Sequence, residues 1–165
     1  MTNHTIQKTI KNLFPLNRSL TGDGTLSTLK EIRKQIPINI KYFESGTKVF
    51  DWKIPLEWTV KRAFIKDSKN NIIVDTKKHP MHLASYSKNV NNFFYWKDIK
   101  NKFYYIKRKS YLPYRTLYYK KDWGFCVTHK QYEILKKEKE KLKIVIDTSL
   151  KKGRMYYGEA LVKGR

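Results

Sequence analysis

The sequence holds a single cysteine, Cys126, among 165 residues. One thiol excludes an internal disulfide and any zinc site built from several cysteines, so nothing in it points to an oxidising compartment. Long apolar runs are missing as well, since no stretch of about 18 apolar residues occurs. The opening MTNHTIQKTIKNLFPLNR lacks the basic start, apolar core and small-residue cleavage site of a secretory signal. The expectation is a soluble, cytoplasmic chain with no membrane partner. Neither a GxGxxG fingerprint nor a GxxxxGK[ST] loop surrounds Gly22, Asp23 and Gly24, so no nucleotide cradle is expected. Repeats and low-complexity linkers are absent too.

Acidic residues are also scarce, 14 against 36 lysines and arginines, which leaves a formal net charge of +22. A charge of that size attracts phosphates, acidic partners or anionic surfaces over long range. Two readings stand. The stretch KNKFYYIKRKSYLPYRTLYYKK at 100–121 could stack bases on its tyrosines and neutralise phosphates with its lysines, which would make the chain a stand-alone nucleic-acid-binding module. Alternatively, heavy use of Lys, Asn, Ile, Tyr and Phe reflects AT-rich codons, with lysine spread over a solvated surface. Basic residues at 8, 11, 30, 61, 97, 151, 152 and 154 fit that second reading, because they form no single block.

What is present suffices for a core: 40% of the residues are hydrophobic and 15% aromatic. Ile6, Ile10 and Leu13 recur at helical spacing, predicting a short amphipathic helix that faces a core and stops at Phe14 and Pro15. Leu26, Leu29, Ile32 and Ile36 form a second stripe after the Gly22–Gly24 turn, ended by Pro37. Ile38, Ile40 and Tyr42 alternate as a strand, with a turn at 45–47. From Val49 to about Leu135 the texture is β-rich, with EWTVKRAFI, NIIVDT, HLASYS and GFCVTH as short strand-like runs and a turn at 67–71. KQYEILKKEKEKL is helical in propensity, with turns after Leu135 expected to fray. KIVID and MYYGEALV read as two strands separated by a polar SLKKGR turn. The second leaves an unpaired edge that could pair with another copy or a partner chain, and it stops so soon before LVKGR that the end reads as a cut.

Three clusters invite a chemical reading. His79 and His82 in KHPMH could share a metal only if the turn at Pro80 folds them together, and no third ligand is evident nearby. Cys126 and His129 could be a nucleophile and base or two metal ligands, but strand alternation directs Cys126 away from a His129 that opens the next helix. A buried, inert thiol is the competing reading. Arg115, in PYRTLYY, either holds a carboxylate or phosphate in its fork or packs on aromatic rings at the surface.

Several strings occur together and in order: LFPLNRSLTGDG (13–24), SGTKVFDWKIPLEW (45–58), HLASYS (82–87), LPYRTLYYKKDWGFC (112–126) and YGEALVKG (157–164). In these the chain resembles the bacterial aminopeptidase-like proteins related to zinc aminopeptidases. The resemblance implies an α/β fold, α+β overall: the N-terminal part of a zinc-peptidase-like domain (1–46), an inserted small β-rich domain of unknown function (47–137), and a return to the peptidase-like sheet (138–165). In such enzymes a metal-bound water attacks a peptide carbonyl with a carboxylate as general base. Complete relatives are expected to be metal-dependent, peptidase-like hydrolases of cell-surface polysaccharide loci. The family's zinc-ligand segment, a histidine-containing string followed by an Asn-Asp-Asn motif, falls after the YGE strand. No residue here matches it, so no catalytic or metal-ligating residue is carried over. The chain is therefore expected to hold no cofactor of its own, to be inactive alone, and to have the rest of the peptidase-like domain as its partner. The resemblance makes Tyr114, Arg115, Asp122 and Trp123 candidates for lining a cleft.

Overall fold

A computed structural model describes residues 3–164, with side chains from Ile6 onward. The fold is mixed α/β, and the chain divides into two compact units. One takes the chain up to Thr59 together with the stretch from Leu150 onward; the other is the continuous segment Val60–Ser149.

In the first unit, helices α1 (Asn3–Leu13) and α2 (Asp23–Arg33) precede strand β1 (Asn39–Glu44). Gly22 introduces α2 with φ 100°, a left-handed conformation that only glycine adopts without strain. Short strands β2 (Lys48–Val49) and β3 (Trp52–Lys53) form a tight antiparallel pair. Strand β1 pairs antiparallel with the chain's last strand (Arg154–Glu159), Asn39 opposite Glu159 and Glu44 opposite Arg154. Leu29 and Ile38 close on Gly158, where a side chain would collide with them.

The stripe of α1 does not face a core as the periodicity predicts. Ile6 and Ile10 are 43% and 60% exposed, Ile36 is also exposed, and α2 has no buried residue. Amphipathic spacing fixes which side of a helix is apolar, not whether a neighbour covers it. On the two-stranded sheet, Ile40 and Gly158 share the face turned to α2, while Phe43 and Tyr157, stacked with centroids 5.4 Å apart, lie on the other.

The second unit contains most of β4 (Glu57–Lys66), then β5 (Ile72–Asp75), β6 (Val90–Phe94), α3 (Trp96–Ile99), β7 (Phe103–Tyr104), β8 (Phe125–Cys126), α4 (His129–Lys136) and most of β9 (Leu142–Lys151). The final strand, paired with β1, is β10. A four-stranded sheet runs in the order β5-β4-β9-β6, and β7 pairs parallel with β8. Burial alternates along β9: Leu142, Ile144, Ile146 and Thr148 are buried, Lys143, Val145 and Asp147 are not. Ala63 and Ile65 of β4 join the buried face, leaving Arg62, Phe64 and Lys66 on the open one. Phe125, Val127, Leu135 and Trp123 complete the core.

Helix α4 is anchored by a capping box, in which Thr128 and Gln131 exchange side-chain and backbone hydrogen bonds. It ends at Lys136, where the run of lysines begins. One strand expectation fails and one turn is shorter than expected. HLASYS is a 3₁₀ turn at Pro80–His82 followed by irregular chain with isolated bridges at Leu83 and Ser85, because its hydrogen bonds go to two different loops. The SLKKGR turn shrinks to Lys152–Gly153, since β9 continues through Lys151.

Candidate functional site

Two of the strings in which the chain resembles the peptidase-like proteins, HLASYS and LPYRTLYYKKDWGFC, assemble within the second unit. The segment 82–88 runs between the PYRTL and DWGFC segments. On one side the Ser85 amide donates to the Arg115 carbonyl (2.9 Å) and Leu117 N–H to the Ser85 carbonyl (2.8 Å). On the other, the Ala84 amide donates to the Gly124 carbonyl (3.0 Å) and the Lys88 amide to that of Asp122 (2.9 Å). The buried Ser87 hydroxyl donates to the Ala84 carbonyl (2.6 Å) and accepts from Gly124 N–H (3.2 Å). Thr148 of β9 donates to the Ser87 carbonyl at 2.9 Å. Tyr86 sits at φ 65°, unusual for a bulky residue, with its buried ring edge-on to Tyr118 at 5.1 Å.

The four candidate residues take different places around this clasp. Tyr114 is 65% exposed. Arg115 is exposed, its guanidinium 5.0 Å over the ring of Tyr104, so it packs on an aromatic face. That ring also closes on Gly124, where a Cβ would come within 2.7 Å of the Tyr104 Cε2. Asp122 is half-buried and receives Lys102 Nζ on both carboxylate oxygens at 2.7 Å. Burial alone would push the Asp122 carboxyl up; Lys102 and the Trp123 amide outweigh it and hold it below its ordinary value. Trp123 is buried among Phe94 and Phe125, at 5.7 and 6.4 Å, with Lys102 Nζ 5.9 Å above it. Tyr114 and Arg115 therefore present polar groups to solvent, while Asp122 and Trp123 brace the loop that carries them.

The tyrosines of 100–121 are partly committed. Tyr105 stacks on Tyr132 at 3.9 Å and faces His129 at 5.6 Å, and Tyr104 carries Arg115. Tyr111, Tyr114 and Tyr119 are exposed.

Cys126 is a buried free thiol that burial pushes up to about 11, so no reactive thiolate forms at neutral pH. His129 opens α4, its Nε2 3.7 Å from Glu133. Each has its own surroundings, and no nucleophile–base pair is built. The Pro80 turn does bring His79 and His82 together, ring centroids 6.0 Å apart. One ring nitrogen of each is engaged: His79 Nδ1 accepts from Met81 N–H, and His82 Nδ1 donates to the Cys126 carbonyl. The nearby Asp75 carboxylate is held in the fork of Arg62, at 2.7 and 3.3 Å. Among the described residues no group of three His, Cys, Asp or Glu side chains could hold a metal ion, so these residues do not fit a catalytic zinc. Among them, too, no helix is long and apolar enough to cross a membrane.

A second feature escaped the motif reading. The open face of the β5-β4-β9-β6 sheet forms a trough of about 670 Å³, lined by Phe64, Phe93 and Tyr95 with Lys66, Lys141 and Lys143. Its signal in the sequence is alternation, Arg62-Phe64-Lys66 on β4 and Lys141-Lys143-Val145 entering β9.

Comparison with known proteins agrees with this architecture. Residues 57–149 match the family model described as Domain of unknown function (DUF2172). A Clostridium acetobutylicum protein named "Putative polysaccharide biosynthesis protein with aminopeptidase-like domain" is 39% identical over 160 residues, 96% of this chain and 36% of the relative. The crystal structure of a "putative peptidase" from Clostridium acetobutylicum aligns with a TM-score of 0.87 at 38% identity, over 94% of this chain and 36% of that one. The chain thus spans just over a third of the length of the relatives it matches.

Proposed function

The chain belongs to the family described as Domain of unknown function (DUF2172), and from that premise we propose that it is the scaffold and ligand-facing part of a peptidase-like protein of polysaccharide assembly. Its relatives, aminopeptidase-like or peptidase by name, support peptidase-like function in general. The metal that such hydrolysis uses would polarise the scissile carbonyl and activate water. Among the described residues no three His, Cys, Asp or Glu side chains come together as ligands for it. The chain's own residues position and present: the Ser87 clasp and the Lys102–Asp122 pair hold the loop that displays Tyr114 and Arg115.

The observation that carries this reading is the exposure of the first unit's apolar surfaces. Ile6 and Ile10 of α1, Phe14, and Phe43 on the outer face of the β1–β10 sheet are each at least 41% exposed. An α/β unit stabilises such faces by burying them against further layers, and a two-stranded sheet is marginal by itself. The partner that fits is the remainder of a peptidase-like domain; pairing of two copies through the sheet is the competing arrangement. Introducing Lys at Ile10 and Phe43 tests it. With these faces uncovered, the double variant keeps its unfolding midpoint and binds less of a dye that reports exposed apolar surface. A collapse in stability, or a measured mass that falls from dimer to monomer, would contradict it.

A further inference from the structure

We infer that the open face of the β5-β4-β9-β6 sheet is a binding site for an acidic oligosaccharide, a sugar chain bearing carboxylates. The choice of a saccharide among anionic chains rests on the proposed role in polysaccharide assembly; the site itself rests on geometry. The trough lies within the second unit and is open along the sheet. Phe93 and Tyr95 are 54% and 40% exposed, an unusual allocation of aromatic surface for a face that no other element of this unit covers.

Each ring is paired with a cation. Lys143 Nζ stands 4.2 Å over Phe93, Lys141 Nζ 5.2 Å over Tyr95, and Arg62 4.8 Å over Phe64. Arg62 is occupied by Asp75, and Lys66 Nζ donates to Asn70 Oδ1 at 2.8 Å. Lys141 and Lys143, by contrast, pair with no carboxylate among the described residues. They are two ammonium groups held beside ring faces without a counter-ion, which is what a carboxylate requires of its receptor.

Two acids also line the trough. Asp67 is engaged by the Asn71 amide and side chain, at 2.7 and 3.0 Å; Glu140 is exposed. This mixture selects between classes of anion. A phosphodiester backbone has acceptors only and offers Glu140 no donor. An acidic sugar meets all the groups: carboxylates on Lys141 and Lys143, hydroxyl donors on Glu140, and the apolar C–H face of a pyranose against Phe93 or Tyr95.

The test is titration calorimetry of the purified chain with tetragalacturonic acid, the neutral cellotetraose and an octameric oligo-dT. The site predicts binding of the acidic tetramer that weakens with added salt, and at least about tenfold weaker binding of the neutral one. Lys141→Ala with Lys143→Ala should weaken it about tenfold or more, as should Phe93→Ala, while far-ultraviolet circular dichroism stays unchanged. Equal binding by the double-lysine variant overturns the site, as does the absence of saccharide binding. Tighter binding of oligo-dT through the same lysines overturns the saccharide assignment in favour of nucleic acid. Saccharide binding by this chain, with no peptide hydrolysis by the longer Clostridium acetobutylicum relative, would sink the peptidase reading and leave the trough standing.

Discussion

The Nδ1 of His82 lies 2.8 Å from the carbonyl oxygen of Cys126, joining the Pro80–His82 turn to β8 between two buried residues. A carbonyl only accepts, so Nδ1 carries a proton, and the neutral ring is the Nδ1–H tautomer. Burial lowers the His82 pKa below its ordinary value of 6.5, and neighbouring His79 and Lys78 push the same way, against the Cys126 carbonyl and Asp75. Below pH 6.5 the unfolded chain takes up a proton that the folded one refuses. The stabilisation from His82 is therefore complete above 6.5 and declines as pH falls toward the lowered folded value. The imidazole resonance of His82 should titrate below 6.5 in NMR, and His82→Gln should flatten the fall in unfolding free energy over that window. A His82 titrating above 6.5 would contradict the buried neutral ring.

Cys126 should be silent toward alkylation. With its thiol buried and pushed up to about 11, iodoacetamide at pH 8 modifies it only after denaturation, as read by intact mass. Rapid labelling of the native chain would mean that β8 opens readily.

Trp123 and Arg115 are separable although both belong to a string on which the resemblance to peptidase-like proteins rests. Trp123→Ala removes a buried indole from between Phe94 and Phe125 and should cost about 3–5 kcal/mol in chemical denaturation. Arg115→Ala removes an exposed contact with Tyr104 and should cost under about 0.5 kcal/mol. A larger stability loss from Arg115 would give it a structural role in place of a ligand-facing one.

The Lys102–Asp122 pair should contribute about 0.5–1 kcal/mol, because both groups remain partly solvated. The folded Asp122 carboxyl lies below its ordinary 3.8, so its contribution is present above that value and is lost as pH falls through the lowered one. A double-mutant cycle with Lys102→Met and Asp122→Asn reads the coupling, which should shrink in molar salt.

Helices and long strands were legible wherever a period repeated. The stripe Ile6-Ile10-Leu13 falls on α1, Leu26, Leu29 and Ile32 fall on α2 while Ile36 lies beyond its end at Arg33, and the apolar run KIVID lies inside β9. What local spacing cannot reveal is who supplies the other half of a contact. HLASYS looks strand-like, yet its hydrogen bonds are divided between Arg115 and Gly124, far along the chain. Asp122 stands out in the sequence only within the LPYRTLYYKKDWGFC string, and its partner Lys102 is twenty residues upstream, so only the loop geometry joins them. The trough on the open sheet face went unread for the same reason, since Phe93 and Lys143 become neighbours only through the antiparallel register of β6 and β9.

The most direct test of the central claim is zinc analysis of the purified chain together with an aminopeptidase assay on leucine p-nitroanilide. The account predicts no stoichiometric zinc and no turnover from residues 1–165, since the described side chains assemble no metal-ligand triad. One equivalent of tightly bound zinc accompanied by chelator-sensitive hydrolysis would contradict it.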